Sequence, residues 1–162
     1  MNKNTVMNLP MRKIMSCKFS FVFGLLHKKQ ITDEIDAFLK DVKMYEMADK
    51  KCFSVQNAFE SESYVQNNNV SIAEWEWSTN EIYLGKSFIK RQYKKVLILC
   101  STYIEKMLLQ KFPQNSFVIS FCVQFGKYRN INIRICQDFD DAVLDRNLEM
   151  YDQPVMQIYL KT

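Results

Sequence analysis

Glycine, proline and histidine are all scarce in this chain of 162 residues, which has three Gly, three Pro and one His. Loops that wrap phosphate groups need several residues with unusual φ angles, so the scarcity of glycine argues against them. Few glycines and prolines also exclude a collagen-like or linker-rich chain. Tight turns must then be made by Asn, Asp and Ser, which the QNNN stretch at 66–69 can supply.

Motifs for metal and redox chemistry are lacking as well. The five cysteines lie far apart and form no C-x-x-C pair, which argues against a zinc ribbon or a thioredoxin-type pair. Asp138, Asp140 and Asp141 resemble the start of a calcium loop, but the Gly and the distal Glu of an EF-hand are missing at the required spacing. We therefore expect no metal, no cofactor, and buried reduced thiols typical of a cytoplasmic protein.

The N-terminal region lacks the complete pattern of a secretion signal. Arg12 and Lys13 precede an apolar stretch, but Lys18 interrupts it and no small-x-small cleavage site follows. No run approaches the roughly 20 apolar residues of a membrane span. These features predict a cytoplasmic protein without a membrane segment, in which residues 1–13 form a loose polar tail.

The residues that are abundant suit one folded domain. Hydrophobic residues make up 48% of the chain, which is enough for a packed core. Charged residues make up 25%, and the net charge of +4 is lower than a dedicated DNA-coating protein usually carries. We expect residues 14–162 to form a single α+β domain.

Hydrophobic periodicity predicts a mainly antiparallel mixed sheet packed on two helices. The helices are expected at about 32–48 and, as a long central helix ended by Pro113, at about 87–111. Strands are expected at 15–23, 70–77, 116–125, 130–136 and from 154 onward. A short helix capped by Asp138 is expected to continue to about 150. Hairpins in place of uniform alternation of strand and helix indicate the α+β class.

The stretch after the predicted strand at 70–77 fits two structures. Ser78-x-x-Glu81 is a capping box that would begin a helix at Thr79. Alternatively, residues 82–84 return as a strand and form a hairpin with the preceding one. Their β-favouring side chains favour the hairpin. The segment that precedes residue 70, from 49 onward, fits either a short strand or irregular structure.

Gly85-Lys86-Ser87 matches the end of a phosphate-binding P-loop. That motif requires a glycine five residues before Gly85, where this chain has Asn80. One acidic and three bulky apolar residues fill the intervening positions, which is wrong for a loop that cradles an anion. The sequence therefore argues against a nucleotide site here.

A run of five cations follows in the predicted central helix, where they would share one side: Lys86, Lys90, Arg91, Lys94 and Lys95. Cations in a first turn oppose the helix dipole by roughly 0.3–1 kcal/mol each, so this placement calls for an anion nearby. The anion could belong to a partner or to the acidic segment at 138–152, unless the run is simply a solvated face. We take the five residues as a candidate partner-binding surface.

Trp75 and Trp77 fall on one face of the predicted strand at 70–77, and Glu74 and Glu76 fall on the other. The tryptophans fit a core face or, if exposed, the anchors of an interface. The glutamates fit a solvated face, although carboxylate chemistry needs no motif.

Signals for catalysis are weak. His27 and Cys17 could meet in space as a base and a nucleophile, but no hydrolase or zinc-protease motif is present, and we assign no catalytic residue. The sequence favours a non-enzymatic, cytoplasmic protein-binding module with an acidic partner, a profile typical of inhibitors and toxin-immunity proteins. The alternatives are a nucleic-acid binder that uses the face at 86–95, and a small enzyme without a recognisable motif.

Overall fold

The computed structural model describes residues 2–17, 27–47, 50–55, 67, 70–89, 92–138 and 147–161. The N-terminal part contains β1 (Asn2–Met7), α1 (Leu9–Ser16), α2 (Lys28–Asp41), β2 (Lys43–Met47) and β3 (Lys50–Ser54). The remainder contains α3 (Ile72–Thr79), β4 (Glu81–Gly85), α4 (Lys86–Ile89), α5 (Tyr93–Lys111), β5 (Phe117–Gln124), β6 (Asn130–Gln137), a 3₁₀ turn (Leu148–Met150) and β7 (Val155–Lys161). These elements confirm the predicted α+β class.

The main sheet has five strands in the order β1-β7-β5-β6-β4, and every neighbouring pair is antiparallel. Because side chains alternate along a strand, Phe117, Ile119 and Phe121 of β5 lie in the core, whereas Ser120 and Cys122 lie on the opposite face. Buried residues of α1, α2 and α5 belong to the same core. These three helices therefore cover one face of the sheet.

The long helix α5 supplies the centre of this core through residues at helical spacing: Val96, Leu97, Cys100, Ile104 and Leu108. It is tied to α2 by the Tyr103 hydroxyl, which donates to the Asp36 carboxylate at 2.8 Å. The Lys111 ammonium donates to the Val42 carbonyl at 3.0 Å. The second sheet, formed by β2 and β3, docks through Phe53, whose ring lies 5.0 Å from that of Phe117.

The N-terminal residues correct two expectations. Residues 2–7 are not a loose tail, because β1 pairs along its whole length with β7. Asn8 then caps α1 by accepting from the Met11 N–H, and its amide group donates to the carbonyls of Tyr151 and Gln153. The strand expected at 15–23 is wrong at Met15 and Ser16, which lie in α1. Its residues 18–23 lie outside the described part of the chain.

Both predicted helices exist with different bounds. The helix expected at 32–48 begins earlier, at Lys28, and ends at Asp41, so the residues that follow form β2 instead. The helix expected at 87–111 is the short α4 followed by α5, which begins at Tyr93. Residues 90 and 91 between them lie outside the described residues.

The strand expected at 70–77 is wrong, because these residues form most of α3. Ser71 caps that helix with a complete capping box: its hydroxyl accepts from the Glu74 N–H, and the Glu74 carboxylate accepts from the Ser71 N–H. The expected strand at 82–84 is present as β4, but it pairs with β6. The proposed hairpin with 70–77 is therefore wrong, and so is the helix that Ser78 would have capped.

The C-terminal half follows the sequence closely. The strands expected at 116–125 and 130–136 are β5 and β6, which pair as a hairpin, and β7 begins directly after Pro154. Of the helix expected from Asp138 to about 150, residues 139–146 lie outside the described part of the chain. Its end, Leu148–Met150, is a 3₁₀ turn.

Candidate functional site

The two tryptophans do not share a face. They are two residues apart on α3, which places their side chains on different sides of the helix. Trp75 is buried against Cys52, whereas Trp77 is half-buried with the Arg134 guanidinium 5.7 Å from the centre of its ring. Trp75 therefore belongs to the interior, and Trp77 is partly accessible beside the sheet.

The basic run does not form one continuous helical face. Lys86 is exposed on α4, and Lys94 and Lys95 are half-buried in the first turn of α5. The Lys94 ammonium donates to the Cys17 carbonyl at 3.0 Å. Lys90 and Arg91, the other two residues of the candidate surface, lie outside the described residues.

Two of the three described acidic residues in the segment at 138–152 form ion pairs with cations outside the basic run. The Asp138 carboxylate lies 3.4 Å from the Lys161 ammonium, and the Glu149 carboxylate lies 2.6 Å from the Arg12 guanidinium. The Leu9 N–H and Arg12 together hold the pKa of Glu149 below its usual value. Residues 139–146 of this segment are not among those described.

The fold brings residues of the β5–β6 loop, which is distant in sequence, next to the basic run. The ring of Tyr93, the first residue of α5, lies edge-on to the ring of Phe125 at 5.2 Å, which brings the β5–β6 loop to the start of α5. Gly85 pairs with Asn130 in antiparallel strands. Lys86, which comes after Gly85, and Arg129, which comes before Asn130, therefore lie at the same end of the sheet. We call this end the basic–aromatic surface; it comprises Lys86, Lys94, Lys95, Phe125, Lys127, Tyr128 and Arg129.

The aromatic residues of this surface are unusually open to solvent. Phe125 is 56% exposed and Tyr128 is 73% exposed. The Lys127 ammonium lies 5.4 Å from the centre of the Tyr128 ring, a cation–π arrangement. A signal for this surface is present in the sequence, because aromatic and basic residues alternate in this loop.

Glu76 is the most unusual ionisable group in the described structure. It is fully buried, and its carboxylate accepts from the N–H groups of Phe53 (2.6 Å) and Gln137 (2.7 Å) and from the Gln137 side-chain amide (2.8 Å). Burial raises its pKa from 4.5 to about 7, although these donors act in the opposite direction. The thiols of Cys52 and Cys136 lie close enough that Glu76 contributes to their raised pKa values.

The position of Glu76 corrects the sequence interpretation, in which it was solvated. It joins α3, β3 and β6 in the interior, and its burial leaves a substrate no access to the carboxylate. The pair of Glu74 and Glu76 is therefore not an acid–base site, since Glu74 is exposed and engaged in the cap of α3. The role of Glu76 is structural.

Asn80, which stands where a P-loop would have glycine, is also a structural residue. It is fully buried, its amide donates to the Phe53 carbonyl, and its side-chain oxygen accepts from the Val55 N–H at 3.3 Å. Its backbone carbonyl accepts from the Ile135 N–H at 3.1 Å. These bonds join the segment between α3 and β4 to β3 and β6, so the residues around Gly85 form no phosphate loop.

A groove of about 300 Å³ lies on the face of the main sheet opposite α1, α2 and α5. Trp77 and Tyr151 flank it, and its floor is formed by side chains of β5, β6 and β7, among them Ser120, Arg134 and Gln157. Most of the lining groups are polar but uncharged. We call this feature the sheet groove.

The Cys17–His27 pair gains no support. The Cys17 thiol donates to the Lys13 carbonyl at 3.3 Å, and His27 contacts the side chain of Gln30 through Nδ1. All five cysteines fall within the described residues and are unpaired, with Cys52, Cys100 and Cys136 buried as expected and Cys17 exposed.

Within the described ranges, no cluster of three or more His, Cys, Asp or Glu side chains could hold a metal ion. No helix in that same part of the chain has the length and apolar character needed to cross a membrane. Comparison of the chain with protein-family models, curated proteins and solved structures gives no match.

Proposed function

We propose that the protein is a non-enzymatic binding module that recognises an acidic surface of another protein. The observation that carries the proposal is the contact between Tyr93 and Phe125, at 5.2 Å. This contact gathers cations from two distant parts of the sequence around exposed aromatic rings. The basic–aromatic surface is thereby the binding surface.

The charge of this surface supports an acidic partner. Lys86 and Lys127 are exposed there, and the whole chain carries a net charge of +4. Complementary charge accelerates association and selects against like-charged partners. Two of the three described acidic residues of the segment at 138–152, Asp138 and Glu149, form ion pairs with cations outside this surface.

The aromatic side chains support a protein partner in particular. Protein interfaces are enriched in Tyr, Phe, Trp and Arg, and a few such residues supply most of the binding free energy. Phe125 and Tyr128 are the large exposed aromatic residues here, and they lie next to the cations. Within this function, we favour an inhibitor or immunity-type role in the cytoplasm, in keeping with five unpaired thiols.

The test compares capture of a partner by the wild-type chain and by surface variants in extracts of its own cells. We expect the wild type to retain one protein stoichiometrically, and Tyr128→Ala to bind that protein about 30-fold more weakly, as for a hot-spot residue. Lys86→Glu/Lys127→Glu should slow association, most strongly at low salt.

The matched control is Lys40→Glu/Lys106→Glu, which changes the net charge equally at exposed positions of α2 and α5. It should bind like the wild type. Absence of any stoichiometric partner, or equal loss of binding in the control, would contradict the proposal.

A second candidate function, binding of single-stranded nucleic acid, is favoured by the alternation in the β5–β6 loop. Phe125, Lys127, Tyr128 and Arg129 present stacking rings between cations, which is how single-strand binders combine their contacts. Fluorescence anisotropy with labelled RNA and DNA oligonucleotides should then show a log–log salt slope of about −0.7 per phosphate contact. No binding at low salt would eliminate this candidate.

A further inference from the structure

The sheet groove is a second surface with its own chemistry. It shares no residue with the basic–aromatic surface, and it lies across three strands on the face of the main sheet opposite α1, α2 and α5. Its volume of about 300 Å³ is at the lower end of the range for small-molecule sites. A ligand of this groove is therefore small.

The groove has almost no net charge. Arg134 is its only basic lining residue among those described, and its guanidinium lies 3.6 Å from the Glu81 carboxylate. Because the cation is already paired, the groove offers little to an anionic ligand. The remaining polar lining residues are amides, hydroxyls and one thiol, which favours a neutral ligand.

The polar groups of the floor include both donors and acceptors. Gln157 is only 3% exposed; its carbonyl oxygen accepts from the Tyr159 hydroxyl at 2.7 Å, and its NH₂ group is a hydrogen-bond donor. Ser120 contributes a hydroxyl, and Asn132, whose amide donates to Glu81, contributes a carbonyl oxygen. Ligand hydroxyl groups, which donate and accept at once, match such a mixture.

The sides of the groove are aromatic. Tyr151 is 45% exposed at one side, and Trp77 forms the other with Arg134 against its ring. Aromatic rings bury apolar surface at little cost in side-chain entropy and keep a polar edge in water. The groove thus offers apolar sides above a floor of hydrogen-bonding groups.

We propose that the sheet groove binds a neutral saccharide of one or two rings. The C–H faces of the sugar pack against Tyr151 and Trp77, and its hydroxyl groups bond to Ser120, Asn132 and Gln157. The site is separate from the basic–aromatic surface, so it does not depend on the partner proposed above.

The test titrates methyl glycosides of glucose, galactose, mannose and N-acetylglucosamine, and the disaccharide maltose, into ¹⁵N-labelled full-length protein. We expect one of them to shift amide resonances of β5, β6 and β7 around the groove, with a Kd of about 1 mM, typical of so small a ligand. Tyr151→Ala should weaken binding at least about 10-fold. Gln157→Leu should do the same by removing a donor that the bound sugar needs.

Tyr128→Ala is the matched control, since it removes an exposed tyrosine outside the groove and should leave sugar binding unchanged. Tyr151 is itself exposed, so its truncation keeps the test valid even if Gln157→Leu fails to fold. The proposal is overturned if no sugar shifts the groove resonances, or if Tyr151→Ala binds like the wild type. Binding of uridine, adenosine or a dipeptide in the groove without any binding of a sugar overturns the ligand class.

Discussion

The buried carboxyl of Glu76 makes the stability of this protein depend on pH in an unusual direction. Its pKa in the folded protein is about 7, above the ordinary value of 4.5, because burial disfavours the charged form. The folded state therefore holds this proton more tightly than the unfolded state does. The resulting stabilisation is complete below about pH 4.5 and is lost as the pH rises through 7.

The size of the effect follows from the difference between the two pKa values. At about 1.4 kcal/mol per pH unit, a rise from 4.5 to about 7 corresponds to about 3 kcal/mol in the free energy of unfolding. The thiols that face Glu76, those of Cys52 and Cys136, both have pKa values raised well above 9.0. They stay protonated between pH 5 and 8, so they do not contribute to the change over this interval.

Glu76→Gln separates the charge from the hydrogen bonds. The new amide keeps a carbonyl oxygen for the Phe53 N–H but turns an NH₂ toward one of the other donors, which costs roughly 1 kcal/mol at pH 5. At pH 8 the variant should be roughly 2 kcal/mol more stable than the wild type, because it has no charge to bury. Urea unfolding at half-unit steps of pH should show the two stability curves crossing.

Glu34→Gln is the control, since Glu34 is an exposed glutamate of α2 and its replacement should leave the pH dependence of the wild type intact. Carbon-13 NMR of the Glu76 carboxyl gives a direct reading, with an expected midpoint near pH 7. The reasoning would be refuted if the free energy of unfolding of both the wild type and Glu34→Gln stayed level or rose between pH 5 and 8. That result would mean that the hydrogen-bond donors around Glu76 hold it ionised.

Three further predictions concern the caps and the thiols. Asn8→Asp keeps the acceptor that caps α1 but sets a buried carboxylate against the carbonyls of Tyr151 and Gln153, so chemical denaturation should show a loss of roughly 3 kcal/mol. Ser71→Ala removes half of the capping box of α3 and should cost about 1 kcal/mol in the same assay. A thiol reagent followed by mass spectrometry should label Cys17 in the folded protein, while the buried thiols react only after unfolding: Cys52, Cys100 and Cys136.

Sequence was most informative where burial follows one simple period. The apolar residues of α5 recur at helical spacing, and those of β5 and β6 alternate around a loop that contains Gly126, whose φ is 86°. The bounds of β5 and β6 and the end of α5 were predicted closely, although α5 begins later than expected, at Tyr93. Both signals are local and need no knowledge of what packs against the element.

Prediction from the sequence failed for α3, because the buried face of this helix includes a polar residue. The inward side of α3 includes Ala73 and Glu76, and the buried Asn80 follows directly after the helix. With Glu76 counted as an exposed residue, only the alternation of apolar residues remained, and it resembled a strand. The overlooked signal was Ser71-x-x-Glu74, a capping box inside the apparent strand.

The candidate sites depended even more on tertiary structure. Lys127 and Arg129 join the basic run only because α5 packs against the sheet and brings Tyr93 to Phe125. The sheet groove combines α3, three strands and the segment around Tyr151, which no motif connects. Spacing along the chain cannot reveal either arrangement, because each depends on contacts between distant segments.

The place of β7 has a consequence for how the chain reaches its native state. This strand follows the other described strands in the sequence, yet it lies inside the sheet, between β5 and β1. Until β7 arrives, β1 has no neighbour, and the edge of β5 that will pair with β7 is open. Closing a loop of nearly the whole chain is a slow step, so this sheet forms late and its open edges are exposed to other chains in the meantime.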